Sequence, residues 1–176
     1  MRRITGWCAV VAVAGLVAFG AATGADEKDK KEEKISADKM PAAVAATVKA
    51  HFPDAEFTSI TKETEGTKVV YDIELKQKGK KHEMDVQEDG TILEIENEVA
   101  AKDLPAAVTK ALEAKYPKGT LKEAMEVNKV TGKEIKLLHY ELTVETGGKS
   151  VEVLISADGK EVKEEAEEKK EKKEKK

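Results

Sequence analysis

Cysteine is nearly absent from this chain, and tryptophan and proline are scarce. The 176 residues include one Cys, one Trp and four Pro, and aromatic residues make up only 4%. Trp7 and Cys8 both stand near the amino terminus, in a segment that we predict to be removed. The remaining chain then has no thiol, which excludes a disulfide scaffold, a thiolate metal site and a cysteine nucleophile.

The first 25 residues have the pattern of a secretory signal peptide. Arg2 and Arg3 precede an apolar run over residues 8–22, and small residues follow up to Ala25. The run is shorter than the roughly 20 residues that span a bilayer, so we predict cleavage near Ala25 rather than an anchor. The chain is therefore predicted to be periplasmic or secreted, with no membrane contact after cleavage.

Net charge bears on the class of partner. Losing two arginines leaves 29 basic residues against 35 acidic ones, so the formal net charge changes from −4 to −6. An acidic chain repels the phosphates of a nucleic acid. We therefore predict that the chain does not bind nucleic acid, and we separately predict a monomer.

Motifs for catalysis and cofactor binding are also missing. Ser59, Ser150 and Ser156 lack the Gly-x-Ser-x-Gly context of an activated nucleophile. His51, His82 and His139 have no ligand partner at a useful spacing, with His51 at a helix end, His82 pointing inward and His139 outward. We predict no enzyme activity, no metal site and no cofactor.

One phrase occurs twice in the chain. Residues 40–44 (Met-Pro-Ala-Ala-Val) return as residues 104–108 (Leu-Pro-Ala-Ala-Val), and each copy continues to an aromatic-Pro pair, a strand-like segment around Tyr71 or Tyr140, and an Asp-Gly pair. Such a repeat predicts two copies of one structural unit. Because each copy of about 60 residues is marginal alone, we expect the copies to pack side by side or to share one sheet.

The repeat divides the chain into five segments. We predict a signal peptide over residues 1–25, a charged linker over 26–35, a first module over 36–98, a second module over 100–165 and a charged tail over 166–176. The linker and tail are rich in Lys and Glu and carry no apolar stripe, so we expect both to stay solvated.

Each module begins with a helix and continues with strands. Apolar residues at steps of four predict one buried helix stripe in each copy. Pro53 and Pro117 end these helices, and Asp103 is a candidate N-cap, with Asp38 less well placed. Apolar and polar residues then alternate, as in Val69, Tyr71, Ile73 and Leu75 or Leu138, Tyr140, Leu142 and Val144. The prediction is an α+β protein of two tandem modules, each a helix followed by a three- to four-stranded antiparallel sheet.

This arrangement resembles the PepSY-like family of exported bacterial proteins, which is grouped with the β-lactamase-inhibitor-like (BLIP-like) fold. The Leu-Pro-Ala-Ala-Val start, the Tyr116-Pro117 helix end and the Asp158-Gly159-Lys160 turn carry the likeness, which covers about residues 36–165. The resemblance implies a broad sheet surface and action by binding other exported proteins, including peptidases and β-lactamases. Two departures speak against inhibition of a β-lactamase: the inhibitor's disulfides are absent, and the alternation assigns nearly all aromatic residues to the core.

The outward phase of the strands is acidic. We call this surface the acidic face; its members are Asp72, Glu74, Glu83, Asp85, Glu94, Glu96, Glu141, Glu145 and Glu152. Antiparallel sheets commonly leave one polar side in water, so a plain solvated surface is one interpretation. The other is a binding surface for an exported protein or peptide, contacted through Asp72, Glu74, Glu83, Asp85, Glu141, Glu145 and Glu152.

The sequence therefore leads to three hypotheses about function. The first is an exported, non-catalytic binding module that engages another envelope or secreted protein. The second is a divalent-cation-responsive envelope protein, because carboxylates two apart on neighbouring strands resemble Ca²⁺ ligands. The third, implied by the family resemblance, is an inhibitor of an exported peptidase.

Overall fold

The computed structural model describes residues 30–165. The predicted signal peptide and charged tail lie outside them. The described chain forms one antiparallel sheet of nine strands, in which neighbours in the sequence are neighbours in the sheet, and two helices. The strands are β1 Lys30–Lys34, β2 Glu56–Glu65, β3 Lys68–Gln77, β4 Lys80–Gln87, β5 Ile92–Glu98, β6 Thr120–Thr131, β7 Glu134–Thr146, β8 Lys149–Ile155 and β9 Val162–Glu165; the helices are α1 Ala42–His51 and α2 Ala106–Lys115.

The two helices begin at proline rather than at an acidic cap. Pro41 and Pro105 hold the N-cap positions of α1 and α2. Asp103, the predicted cap, instead ends a 3₁₀ turn that precedes α2, and Asp38 lies in the matching turn before α1. Proline has no N–H to satisfy and a φ that is already near the helical value. An acidic cap is therefore replaced by a 3₁₀ turn and a proline.

Each helix covers its own apolar cluster on the sheet. Val44 and Val48 of α1 are almost fully buried and belong to a cluster with Tyr71, Ile73 and other strand residues. Val108 and Leu112 of α2 are buried in the same way over Tyr140 and Leu142. The helix stripes and the equivalent burial of the two tyrosines are as predicted. The side-chain direction at the start of β7 differs from the prediction. A bulge between Val127 and Asn128 brings Leu137, not Leu138, against the second cluster.

The copies share a single sheet rather than forming one sheet each. Strand β5 closes the first copy by pairing with β4, and it also pairs with β6 of the second copy. The entry into each helix is the same, since the Ile35 amide bonds the Ile60 carbonyl and the Val99 amide bonds the Ala124 carbonyl. Of the two arrangements expected from the sequence, the continuous sheet is therefore the one observed.

Strand β1 lies inside the segment predicted to be a solvated linker. Its residues, Lys30–Lys34, pair in register with β2 from Glu65 to Thr61. Similarly, β9 extends the sheet next to β8. Neither strand carries the apolar alternation on which the sequence prediction relied, because an edge strand is held by backbone hydrogen bonds and needs little burial. Charged edge strands also discourage pairing with other chains.

The Asp-Gly turn of each copy packs against the start of its helix. At Gly90 (φ +88°) an added Cβ would lie 3.0 Å from the Ala43 carbonyl oxygen, and at Gly159 (φ +72°) it would lie 2.5 Å from that of Ala107. The positive φ and the close approach both require glycine. This contact explains why the Pro-Ala-Ala-Val phrase and the Asp-Gly pair recur together.

Candidate interaction surface

The acidic face is formed by consecutive strands in register. Asp72, Asp85 and Glu94 stand directly opposite one another across β3, β4 and β5. Glu74, Glu83 and Glu96 form a second row beside them. Side chains at opposite positions have Cβ atoms about 4.5–5.5 Å apart. The register therefore places six carboxylates of the first copy side by side.

The remaining acidic residues lie on the same face in the second copy. Glu141 is opposite Met125 on one side and Leu154 on the other, while Glu152 is opposite Thr143. Glu145 lies nearer the end of β7, opposite Thr120. The sheet thus brings all seven predicted site residues to one surface, in two groups separated by β6.

Several of these carboxylates are more buried than the sequence suggests. Glu83 and Glu96 are only 2% and 4% exposed, and Asp72 and Glu141 are 9% exposed. Glu74, Asp85 and Glu152 are half-buried, whereas Glu145 is exposed. A uniformly solvated polar side was one expectation, and it is wrong for the middle of the sheet, where each side chain has neighbours both along its strand and across it.

Lys81 and Lys122 both contact this surface. The Lys81 ammonium lies 2.8 Å from the Glu83 carboxylate and 3.5 Å from that of Glu123. The Lys81 amide also donates to Glu98 at 2.7 Å. At the other end, Lys122 lies 2.6 Å from Glu145. Lys122 lies inside the register shift of β6 between Leu121 and Glu123, which period-2 alternation does not predict.

Asp85 lies at the centre of the carboxylate rows. Burial raises the pKa of its carboxyl well above the usual value, and the charges of Asp72, Glu94, Glu63 and Glu83 raise it further. Within residues 30–165 the Asp85 carboxylate has no hydrogen bond or ion pair. A carboxylate in this environment is stabilised by a proton or by an approaching positive charge.

The sequence did not predict the burial of three apolar side chains on this face. Val70, Met125 and Val127 are at most 5% exposed, yet none belongs to the two helix-covered clusters. Two of them have register partners on the acidic face, since Val127 is opposite Glu96 and Met125 is opposite Glu141. The outward phase of β6 carries this signal in the sequence as Met125 and Val127. The face is therefore mixed, with apolar residues between the two acidic groups.

The histidines occupy the predicted sides of the fold. His82 points inward, where Nδ1 lies 2.8 Å from the Asn97 side-chain oxygen and the ring lies 4.6 Å from that of Phe52. His51 is exposed at the end of α1. His139 is on the acidic face opposite Val127, and burial, assisted by Lys163, lowers its pKa. Among residues 30–165, no three His, Asp or Glu side chains are grouped to hold a metal ion.

A small cleft lies beneath α2, away from the acidic face. Its volume is about 180 Å³, and its walls include Leu104, Leu112, Tyr116, Leu121 and Val144. Ligand pockets are commonly about 300–1,000 Å³, so this cleft is small for a substrate.

The Ser156 hydroxyl is bonded within the neighbouring turn, where it donates to Asp158 at 2.7 Å and accepts from the Glu161 amide at 3.0 Å.

Comparison with solved structures identifies relatives of this fold. A BLIP-like protein from Bacteroides fragilis NCTC 9343 is 22% identical, with a TM-score of 0.50 over 71% of this chain and 86% of that one. A protein from Bacteroides eggerthii DSM 20697, described among "putative periplasmic proteins", is 15% identical, with a TM-score of 0.55 over 71% and 88% of the two chains. A DUF2874 family protein from Bacteroides uniformis ATCC 8492 is 15% identical, with a TM-score of 0.53 over 70% and 88%. At these identities the likeness establishes the fold alone.

Sequence comparison gives the family. No protein with a curated description matches the chain. Of the described elements, neither helix is long and apolar enough to cross a membrane. The family model described as "Putative beta-lactamase-inhibitor-like, PepSY-like" matches twice, over residues 19–94 and 71–163, in agreement with the internal repeat. The chain belongs to this PepSY-like, β-lactamase-inhibitor-like family.

Proposed function

We propose that this chain is an exported, non-catalytic binding protein that engages another envelope or secreted protein, or a peptide, through its acidic face. The observation that carries the proposal is the register, which gathers acidic residues of both copies on one side of one sheet. Neither α1 nor α2 packs on that side, since both cover the opposite apolar clusters. A surface of this width suits a macromolecular partner better than a small substrate.

The chemistry of the surface favours a partner with basic and apolar groups. Carboxylates of the two acidic groups offer acceptors to Lys or Arg, and Met125 and Val127 lie between them. Charge complementarity of this kind raises association rate and specificity. Apolar positions at the centre of a contact, surrounded by polar groups, are the usual anatomy of a protein interface.

Location and assembly belong to the same proposal. Export rests on the predicted signal peptide over residues 1–25 and on the naming of one structural relative as periplasmic. The module limits 36–98 and 100–165, monomeric state and lack of nucleic-acid binding are likewise proposed. The charged edge strands β1 and β9 are consistent with a monomer.

Charge reversal of the accessible acidic residues tests the proposal. We expect the variant Glu74→Lys/Glu145→Lys/Glu152→Lys to lose about tenfold in partner recovery from envelope extract, since three rim charges contribute roughly 1.4 kcal/mol together. Glu83 is left unchanged because it is buried against Lys81. The matched control, Asp38→Lys/Asp54→Lys/Asp103→Lys, makes the same charge change at exposed positions near the helix ends.

Two outcomes would remove the acidic face from the proposal. One is equal recovery of the partner by wild type and by the variant of the acidic face. The other is an equal loss with the control, which would show an effect of net charge alone. Circular dichroism of both variants establishes that each is folded.

A peptidase inhibitor is a narrower form of the same function. The observation that favours it is membership of an inhibitor-like family. It requires that the purified protein slow an exported protease of the same organism at a one-to-one ratio, and that the Glu74→Lys/Glu145→Lys/Glu152→Lys variant relieve the inhibition. A response to divalent cations stays a prediction, which calorimetry with Ca²⁺ at millimolar concentration decides.

A further inference from the structure

The register of β3, β4 and β5 opposes carboxylates that repel one another. Asp85 stands between Asp72 and Glu94 in its own row, and Glu83, in the neighbouring row, stands between Glu74 and Glu96. Like charges at directly opposite strand positions are destabilising. Low water content strengthens the repulsion, because the effective dielectric constant falls with burial. Two of these six carboxylates, Glu83 and Glu96, are less than 5% exposed.

The charged groups around Asp85 are predominantly negative. Facing it are Glu63 from β2, Asp72 from β3, Glu83 from its own strand and Glu94 from β5. Positive groups stand at the margin of the rows: Lys81 contacts Glu83 at 2.8 Å, Lys129 is opposite Glu94 on β6, and Lys68 is at the start of β3. The balance at Asp85 itself therefore favours the uncharged form.

We propose that the Asp72, Asp85 and Glu94 carboxylates form a proton-sensitive cluster, which stabilises the pairing of β3, β4 and β5 as the surrounding medium becomes mildly acidic. Uptake of one proton at the centre removes the repulsion on both sides. The protonated carboxyl also becomes a hydrogen-bond donor to a neighbouring carboxylate. The inference concerns the folded protein alone and does not depend on the partner proposed above.

The sign of the effect follows from the pKa of Asp85. Its pKa in the folded protein is raised by burial and by the four neighbouring charges. A raised pKa means that the folded state binds the proton more tightly than the unfolded state does. The stability contributed by the proton is complete below the ordinary aspartate range and is lost as the pH rises through the raised value.

Other carboxylates act in the opposite direction at lower pH. Hydrogen bonds from Ser156 and Lys160 lower the pKa of Asp158 to about 2. Hydrogen bonds from Tyr116 and Lys115 lower the pKa of Glu164, and the Thr91 amide lowers that of Asp89. Their contributions disappear as the pH falls below the ordinary range of a carboxyl. The cluster is therefore expected to dominate only on the mildly acidic side of neutrality.

The test is urea unfolding of the full mature chain at half-unit steps from pH 8 to pH 5, with EDTA present. We expect the urea midpoint of wild type to rise as the pH falls. Asp85→Asn should raise the midpoint at pH 8 and flatten its dependence on pH. The control Glu145→Gln removes one charge from the same face, at an exposed site paired with Lys122, and should keep the wild-type slope.

A wild-type midpoint that is constant or falls over this interval would overturn the proposal. So would an Asp85→Asn variant whose slope equals that of wild type, or a Glu145→Gln variant that flattens it equally. If Asp85→Asn does not fold, carbon-detected NMR of the wild-type carboxyl decides. A titration midpoint of the Asp85 carboxyl above that of the exposed Glu145 carboxyl supports the proposed cluster. A titration midpoint of Asp85 at or below that of Glu145 refutes the cluster.

Discussion

At the residue scale, side-chain direction could be predicted wherever burial alternates regularly. Tyr71 and Tyr140 occupy equivalent buried places, as the repeat required. Prediction failed at backbone irregularities, where the bulge in β6 and β7 turns Leu137 inward instead of Leu138. It also missed the burial of Val70, Met125 and Val127, because alternation tells which side a residue faces but not how closely its neighbours cover it.

The two turn glycines give a prediction at this scale. Gly159→Ala should cost more stability than Gly90→Ala, because the added Cβ meets the rigid Ala107 carbonyl at 2.5 Å. At Gly90 the close atoms are the Thr47 hydroxyl at 2.9 Å and the Ala43 carbonyl at 3.0 Å. The positive φ alone costs about 1–2 kcal/mol, and the collision adds to it.

Urea unfolding of the variants measures this ranking. Gly66→Ala is the control, since Gly66 also has a positive φ of +60° but has no neighbouring atom within 4 Å of the added Cβ. The order of destabilisation should be Gly159, then Gly90, then Gly66. Equal losses at all three positions would show that the packing of the turn against the helix contributes nothing.

At the element scale, the helices and the inner strands β3, β4, β7 and β8 could be predicted, whereas the edge strands β1 and β9 could not. The helix stripes and the alternation of β3, β4, β7 and β8 reflect burial, which apolar residues record. Strands β1 and β9 consist mostly of Lys and Glu. Their pairing depends on backbone groups offered by β2 and β8, which the local sequence does not reveal.

The attachment of β9 to α2 gives the second prediction. The Tyr116 hydroxyl donates to Glu164, and Lys115 lies 3.1 Å from the same carboxylate. Burial, the hydrogen bond to Glu164 and its charge raise the pKa of Tyr116 to about 12. The first copy has Phe52 at this place, packed against His82 instead.

The raised phenol pKa fixes the direction of an alkaline effect. Because the folded state favours the neutral phenol, its contribution is complete below pH 10 and is lost as the pH rises from about 10 towards 12. Tyr116→Phe should be less stable than wild type at pH 8 and should lose less stability between pH 9 and 11. Urea midpoints across this interval check the difference, and an identical decline in wild type and Tyr116→Phe would refute the role of the contact.

At the scale of the whole molecule, the repeat predicted two copies of one unit, but the sequence did not show how the two copies are connected. Two copies could sit beside each other or share a sheet, and local patterns cannot distinguish these arrangements. Strand β5 decides the matter by pairing with β4 on one side and β6 on the other. The acidic face depends on the pairing of β5 with β6, because only an unbroken sheet brings Glu74 and Glu152 to one surface.

Amide hydrogen exchange on two matched variants tests this unbroken sheet most directly. Ile73 and Leu142 are both fully buried at equivalent positions of the two copies, and truncating either to alanine should cost about 2–5 kcal/mol. If β5 and β6 join the copies into one cooperative unit, Ile73→Ala will lower the protection of β7 and β8 amides as much as that of β3 and β4 amides. Leu142→Ala will likewise lower protection equally in both copies. Loss of protection confined to the substituted copy would contradict the account.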